Sequence, residues 1–353
     1  MRKCKQYYTA LCLGIIMLII IIDTKSAVLG AQEGLQLCLS TVIPSLFPFI
    51  VISIMLIGSL QNLPFPFLNP LEKLMHLPRN SGILFLIGIL GGYPVGAQNV
   101  LHAYKNGMIS KKDAERILPF CNNAGPAFIF GIGANIFDRL ELCWIAWSIL
   151  IISSVIVGSL SAKVSEERFA VGASTTIALS DALHRATKVL ASICGWIILF
   201  RVMISYYQEW VIDRLPTNTQ ILFYGILELS NGCCSLVEIS SQYSQFIMFC
   251  VMLSFGGVCV AMQSKTIVRE TDLSFRFYFP GKFAQASISY LLCTMVCPLI
   301  FGRSEWRPNL PIMITAITCC ILYRYFSKKS KLNIAFDTKI MYNILKKNSG
   351  GYL

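Results

Sequence analysis

The chain has 353 residues and a net charge of +12, yet only 14% of its residues are charged and 55% are hydrophobic. Soluble domains are about one quarter charged, so this composition excludes an ordinary soluble protein. The basic residues flank apolar segments, which is typical of cytoplasmic loops in membrane proteins and argues against nucleic-acid binding.

The N-terminus places Arg2, Lys3 and Lys5 before an apolar run at 10–22. A secretory signal begins in the same way, and a cleavage site between Ser26 and Ala31 is the alternative. Because the rest of the chain also contains runs of membrane-crossing length, we expect an uncleaved first transmembrane helix.

Ten apolar segments follow one another along the chain, and a membrane-crossing helix needs about 20 apolar residues. They lie near residues 10–22, 41–60, 82–99, 117–136, 141–162, 188–208, 219–232, 245–264, 284–302 and 309–326. The sequence therefore predicts an all-α, polytopic transmembrane helical bundle. Residues 163–187 are polar, and the lysine-rich tail from 327 to 353 is expected to be cytoplasmic.

A Gly-Gly pair suggests an internal two-fold repeat. Gly91-Gly92 with Gln98 recurs as Gly256-Gly257 with Gln263 at an offset of 165 residues. The match predicts an N-terminal helix, two similar repeats separated by a polar connection, and a tail. Their expected bounds are 1–30, 31–162, 163–187, 188–326 and 327–353.

The distribution of charge indicates that some segments do not cross the membrane. The N-terminus, loops 100–116 and 265–282, and the tail are basic and favour the cytoplasm. Three segments separate the first two regions and five separate the next two, so one segment in each half should fail to cross. The Gly-Gly segments 82–99 and 245–264 are the candidates for broken or re-entrant helices.

The run Gly91-Gly92-Tyr93-Pro94, followed by Gln98 and Asn99, should interrupt a membrane helix. Backbone groups freed at membrane depth need protein or water as partners, and broken helices line the substrate sites of many transporters. We therefore predict that this segment lines a cavity, with a kinked packing helix as the alternative.

Three further motifs place polar groups in apolar surroundings. Asn122 and Asn123, before Gly125 and Pro126, suit a neutral polar solute, or else hydrogen bonds between helices. Glu228, with Asn231 and Gly232, suits a coupling cation or a proton, or else a structural ion pair with Arg201. Gly256, Gly257 and Gln263 complete the predicted cavity lining.

The sequence shows no sign of an enzyme. It contains no phosphate-binding loop, no HExxH and no GxSxG, and its three histidines have no metal-ligand spacing. The 14 cysteines form no CxxC pair and lie mostly in apolar segments, where cysteine packs as a small apolar residue. We predict no catalytic residue, no metal and no cofactor.

These motifs resemble the YlbJ family of sporulation integral membrane proteins, which carries the nucleoside-recognition or Gate domain. The resemblance runs from about residue 30 to 326 and rests on the Gly-Gly-Tyr-Pro, Asn-Asn-Ala-Gly-Pro and Glu-x-x-Asn-Gly runs and on Ser254 to Val260. It implies a multi-pass protein in the plasma membrane of a Gram-positive, spore-forming bacterium.

Two classes of function follow from the resemblance and the polar motifs. One is passage or binding of a small polar solute, with sporulation as the implied setting and nucleoside or cation-coupled transport elsewhere as the alternative. The other is a non-transporting membrane scaffold. The expected partners are the lipid bilayer and the solute, without nucleic acid, and the sequence leaves the oligomeric state open.

Overall fold

A computed structural model describes residues 2–60, 65–161, 177–208, 212–269, 271–302 and 309–328. Within them, seven helical spans are long and apolar enough to cross a membrane. These spans are Thr24–Leu56, Lys111–Ile136, Leu140–Leu160, Leu179–Gln208, Gln242–Val268, Tyr278–Phe301 and Leu310–Lys328. The chain is therefore a polytopic transmembrane helical bundle, as the composition predicts.

The N-terminal half contains nine helices in its described residues. They are α1 (Arg2–Ile22), α2 (Thr24–Leu37), α3 (Ile43–Leu60), α4 (Asn69–Leu74), α5 (Gly82–Gly91), α6 (Val95–Lys105), α7 (Lys111–Cys121), α8 (Pro126–Ile136) and α9 (Leu140–Leu160). A π-helical turn, Cys38–Val42, joins α2 to α3. The predicted segment at 41–60 is thus the second part of a longer span.

The C-terminal half has seven helices in its described residues. They are α10 (Leu179–Gln208), α11 (Thr217–Leu227), α12 (Leu229–Ser235), α13 (Gln242–Phe255), α14 (Gly257–Val268), α15 (Tyr278–Phe301) and α16 (Leu310–Lys328). Residues 179–187 of the predicted polar connection are helical. Residues 162–176 and the tail from 329 onward lie outside the described residues.

Helices α5 and α6 form a tight hairpin, called here the first hairpin. The chain turns at Gly92, which has a φ of +72°. Gly88 on α5 and Gly96 on α6 both face the carbonyl oxygen of Cys121, and a Cβ at either position would lie about 2 Å from it. Only glycine allows both helices to approach α7 this closely.

Helices α11 and α12 form the second hairpin, which turns at Glu228 in extended backbone (φ −141°, ψ 118°). Gly225 and Gly232 face each other across it, and a Cβ on Gly232 would lie 2.2 Å from the Gly225 Cα. The close approach of these glycines lets the two short helices pack backbone against backbone.

Loop contacts place the turns after α6 and α14 on one face of the bundle. Asp272 accepts hydrogen bonds from Tyr104 Oη at 2.6 Å and from Lys111 Nζ at 2.8 Å. Glu115 likewise accepts from the Ser274 amide at 2.9 Å. We call this face, defined by residues 105–116, 265–269 and 271–277, the basic face. The two loops therefore share a face, as the charge distribution predicts.

The two hairpins enter the bundle from opposite faces. The first hairpin starts and ends at the basic face, because α6 ends at the loop that contacts Asp272. The span of α13 and α14 crosses to the basic face at Val268, so its start at Gln242 and the preceding second hairpin lie at the other face. Each hairpin is thus a re-entrant element.

The element that fails to cross in the C-terminal half is not the Gly-Gly segment. Segment 82–99 is re-entrant as predicted, but 245–264 crosses as a span broken at Gly256, while 217–235 forms the hairpin. The described residues thus contain two hairpins, α5–α6 and α11–α12, and two broken spans, α7–α8 and α13–α14. A Gly-Gly pair indicates that a helix breaks at that point. It does not indicate whether the chain then continues across the membrane or turns back.

Candidate functional site

The hairpin tips and the helix breaks converge at one centre. Gly92, at the first tip, lies so close to the α7–α8 break that a Cβ there would be 2.7 Å from the Gly125 amide nitrogen. Gly257, at the α13–α14 break, lies similarly close to the Gly225 carbonyl of the second hairpin, 3.1 Å from a built Cβ. Tyr93 Oη donates to the Leu253 carbonyl at 2.7 Å and joins the halves.

A cavity of about 40 Å³ lies at this centre, with room for a few water molecules. Its apolar wall comes from α3, α8 and α10, through residues such as Phe49, Phe128 and Ile197. Among the predicted site residues, those that line it are Gly91, Gly92, Tyr93, Gly125, Glu228 and Gln263.

Glu228 is the charged group of the cavity and is only 2% exposed. Its carboxylate accepts hydrogen bonds from the Ser230 amide at 3.1 Å, the Asn231 amide at 2.7 Å and Asn231 Nδ2 at 2.9 Å. Its bonded groups are therefore neutral donors at the start of α12. The predicted association of Glu228 with Asn231 is present in the structure.

The alternative ion pair between Arg201 and Glu228 is wrong. Arg201 Nε donates to Glu33 Oε2 at 2.7 Å, and Arg201 Nη2 contacts the same oxygen. The reason is the antiparallel packing of α2 on α10, in which Gly34 lies against Ile198 and Arg201. A segment-by-segment view of the sequence does not show this pairing.

Asn122 is fully buried and joins three elements. Its Nδ2 donates to Ser264 Oγ at 2.8 Å and to Tyr278 Oη at 2.9 Å, and its Oδ1 accepts from the Ala97 amide at 3.3 Å. Asn122 thereby links the first hairpin to α14 and α15. This is the hydrogen-bonding interpretation that the sequence left open.

Asn123 is also fully buried and lies at the centre of a second polar group. Its Oδ1 accepts from Lys282 Nζ at 3.1 Å, Gln285 Nε2 at 2.8 Å and Ser154 Oγ at 3.2 Å. Lys282 Nζ also donates to Gln285 Oε1 at 3.0 Å and lies 5.6 Å from the centroid of the Tyr93 ring. We call Asn123, Ser154, Lys282 and Gln285 the lysine cluster.

Lys282 does not lie in the basic loop 265–282 that the charge distribution predicts. In the structure it lies inside α15 and is fully buried. A signal was present: Tyr278, Lys282, Gln285 and Ser289 recur at helical spacing, so they share one face of α15. All four are buried.

The other predicted site residues support the backbone around the centre. Asn99 Nδ2 donates to the Val95 carbonyl in its own helix at 2.8 Å, Gln98 is half-buried, and Pro126 begins α8. Tyr93-Pro94 is a cis peptide, and Gly256 lies beside Tyr93 Oη. Among the described residues, histidine, cysteine and carboxylate side chains form no group of three that could hold a metal.

Comparison with curated proteins shows one clear similarity. The chain is 25% identical over 332 residues to the sporulation integral membrane protein YlbJ of Bacillus subtilis (strain 168), covering 79% of this chain and 77% of that protein. The resemblance predicted from the motifs is thus confirmed. No protein-family model and no solved structure matches the chain.

Proposed function

From the similarity to a sporulation integral membrane protein, we propose that this chain binds a small polar solute in the plasma membrane and passes it across during endospore formation. The observation that carries the proposal is the buried cavity at the tips of two oppositely directed hairpins. Re-entrant and broken helices are tolerated at membrane depth where they are buried in protein or line a wet cavity.

The chemistry of the cavity favours a solute that carries hydrogen-bond donors. The Glu228 carboxylate is an acceptor, and the Gln263 side chain offers both an acceptor and a donor. A charged side chain near the bilayer centre costs at least about 2.5 kcal/mol on insertion scales. Retaining Glu228 there, with only neutral groups bonded to it, is easier to explain by contact with a solute than by packing.

The geometry also supports a route. Each hairpin spans only part of the membrane from its own face, so movement of one hairpin would open the cavity to one side. The cavity has room for only a few waters in this conformation, so a larger solute needs such a movement. Two hairpins of opposite direction therefore provide two separate gates.

The proposal is tested by solute flux in proteoliposomes containing the purified chain, over a panel of radiolabelled polar solutes that includes nucleosides. We expect at least one solute to cross, and Glu228→Gln to reduce that flux at least tenfold while the protein level stays normal. Glu238→Gln is the matched control, because Glu238 is exposed on the short turn after α12. It should leave the flux unchanged.

The scaffold alternative gives a different result. If no solute crosses and the Glu228→Gln variant supports normal spore heat resistance in the native host, solute passage is excluded and the scaffold alternative stands.

A further inference from the structure

The lysine cluster contains a fully buried lysine with no carboxylate beside it among the described residues. Lys282 is fully buried in α15. Among the described residues, its hydrogen-bond partners are Asn123 Oδ1 and Gln285 Oε1, and no carboxylate lies within ion-pair distance. Buried lysines ordinarily pair with acidic groups, so this arrangement calls for an explanation.

The groups that surround the ammonium are ligands for a monovalent cation. Two amide oxygens, from Asn123 and Gln285, point at it from about 3 Å. The Tyr93 ring presents its face at 5.6 Å, within the range of a cation–π interaction. Neutral oxygens and an aromatic face together suit a small ion of single positive charge.

Other contacts hold these ligands in place independently of the lysine. Gln285 Nε2 donates to Asn123 Oδ1 and to Ser154 Oγ, both at 2.8 Å, and Asn123 Nδ2 donates to the Phe120 carbonyl at 2.6 Å. Tyr93 is held by its bond to the Leu253 carbonyl. The oxygens would therefore stay oriented toward the same point if the ammonium were removed.

We propose that Asn123, Gln285 and Tyr93 form a site for a small monovalent cation, and that the chain fills this site with its own ammonium, Lys282. The charge is then permanently tethered behind Tyr93, which lines the central cavity. Because the cation is tethered, the stability of the fold does not depend on Na⁺ or K⁺ in solution. The inference does not depend on solute passage, because its consequence is measured in stability.

The test compares thermal unfolding of purified wild type, Lys282→Ala and Lys282→Met in chloride salts of Na⁺, K⁺, ethylammonium and N-methylglucamine at equal concentration. Lys282→Ala leaves room for an added cation, and Lys282→Met keeps the aliphatic stem so that folding is better preserved. A cation that binds only the folded state raises the melting temperature. Lys265→Ala is the matched control, because Lys265 is an exposed lysine on α14.

We expect at least one Lys282 variant to melt about 2–4 °C higher in Na⁺, K⁺ or ethylammonium than in N-methylglucamine. Wild type and Lys265→Ala should melt at the same temperature in all four salts. The proposal is overturned if neither Lys282 variant responds to a small cation. It is equally overturned if wild type is itself stabilised by Na⁺ or K⁺, a result that needs no variant to fold.

Discussion

At the scale of the residue, the centre of the bundle is organised by neutral amides. The single Oδ1 of Asn123 accepts three hydrogen bonds, one of them from the buried ammonium of Lys282. Hydrogen bonds to charged groups contribute more to the free energy of unfolding than those between neutral groups. A buried charge that loses its partner destabilises the folded state. Asn123 is therefore expected to matter more for stability than an asparagine that bonds only within its own helix.

Asn123→Leu tests this expectation. Leucine is compatible with the membrane, so the variant should insert, but Lys282 and Gln285 lose their shared acceptor. We expect a loss of about 3 kcal/mol in the free energy of unfolding, measured by denaturation of purified protein. Asn135→Leu is the control, because Asn135 is exposed and donates to the Gly131 carbonyl of its own helix. Equal stability of the two variants would contradict the role given to Asn123.

The separate partners of Arg201 and Glu228 give a second prediction at this scale. A double-mutant cycle with Arg201→Met and Glu228→Gln should give effects on stability that add within about 0.5 kcal/mol, because the residues share no contact. A cycle with Arg201→Met and Glu33→Gln should show coupling, since these side chains are hydrogen-bonded. Strong coupling between Arg201 and Glu228 would restore the pairing that the structure excludes.

At the scale of the element, the hairpins depend on close backbone approach. In the second hairpin, α11 and α12 contact each other through Gly225 and Gly232 without side chains between them. Such packing is common between membrane helices that carry small residues. The chain reverses its direction at Glu228, beside the cavity.

Gly232→Ala is expected to disrupt this hairpin, because the new Cβ would lie 2.2 Å from the Gly225 Cα. We expect a lower melting temperature and a loss of solute flux. Gly195→Ala is the matched control: Gly195 lies in α10 with nothing within 4 Å of a built Cβ. Alanine there should be neutral or stabilise α10 by up to about 1 kcal/mol. A Gly232→Ala variant as stable as Gly195→Ala would contradict the hairpin packing.

At the scale of the whole molecule, the basic face connects the two halves. Lys111 forms an ion pair with Asp272, and Arg276 Nη2 lies 3.8 Å from Glu115 Oε2. The hydrogen bond from Lys111 holds the pKa of the Asp272 carboxyl below its usual value. These contacts join α7 to the loop between α14 and α15, and the hydrogen bond from Tyr104 to Asp272 joins the first hairpin to the same loop. The opening proposed for this side would break them.

Thiol labelling tests the arrangement of faces. In a cysteine-free background, Gly107→Cys and Asp272→Cys should react with a membrane-impermeant reagent from the same side. Asp138→Cys, in the turn between α8 and α9, should react from the other side. By the excess of basic residues we predict that Gly107 and Asp272 face the cytoplasm. Labelling of Gly107→Cys and Asp272→Cys from opposite sides would contradict the shared basic face.

The sequence by itself determined the class of the protein and two of the places where its helices break. Apolar runs of membrane length leave no alternative to helices. Gly92 and Gly256 mark predicted breaks because the glycine signal is local to the backbone, whereas the breaks at Gly125 and Glu228 are seen only in the structure. The motifs also predicted the similarity to a sporulation integral membrane protein.

Only the tertiary structure decided which broken segment turns back and which residues are partners. The re-entry of 217–235, the pairing of Arg201 with Glu33 and the burial of Lys282 depend on contacts between residues far apart in sequence. The charge of Lys282 favours a loop, whereas its helical spacing with Tyr278, Gln285 and Ser289 favours a helix face. Gln285 lies on the same helix as Lys282, but the Asn123 oxygen reaches the lysine only after the α7–α8 break has packed against α15.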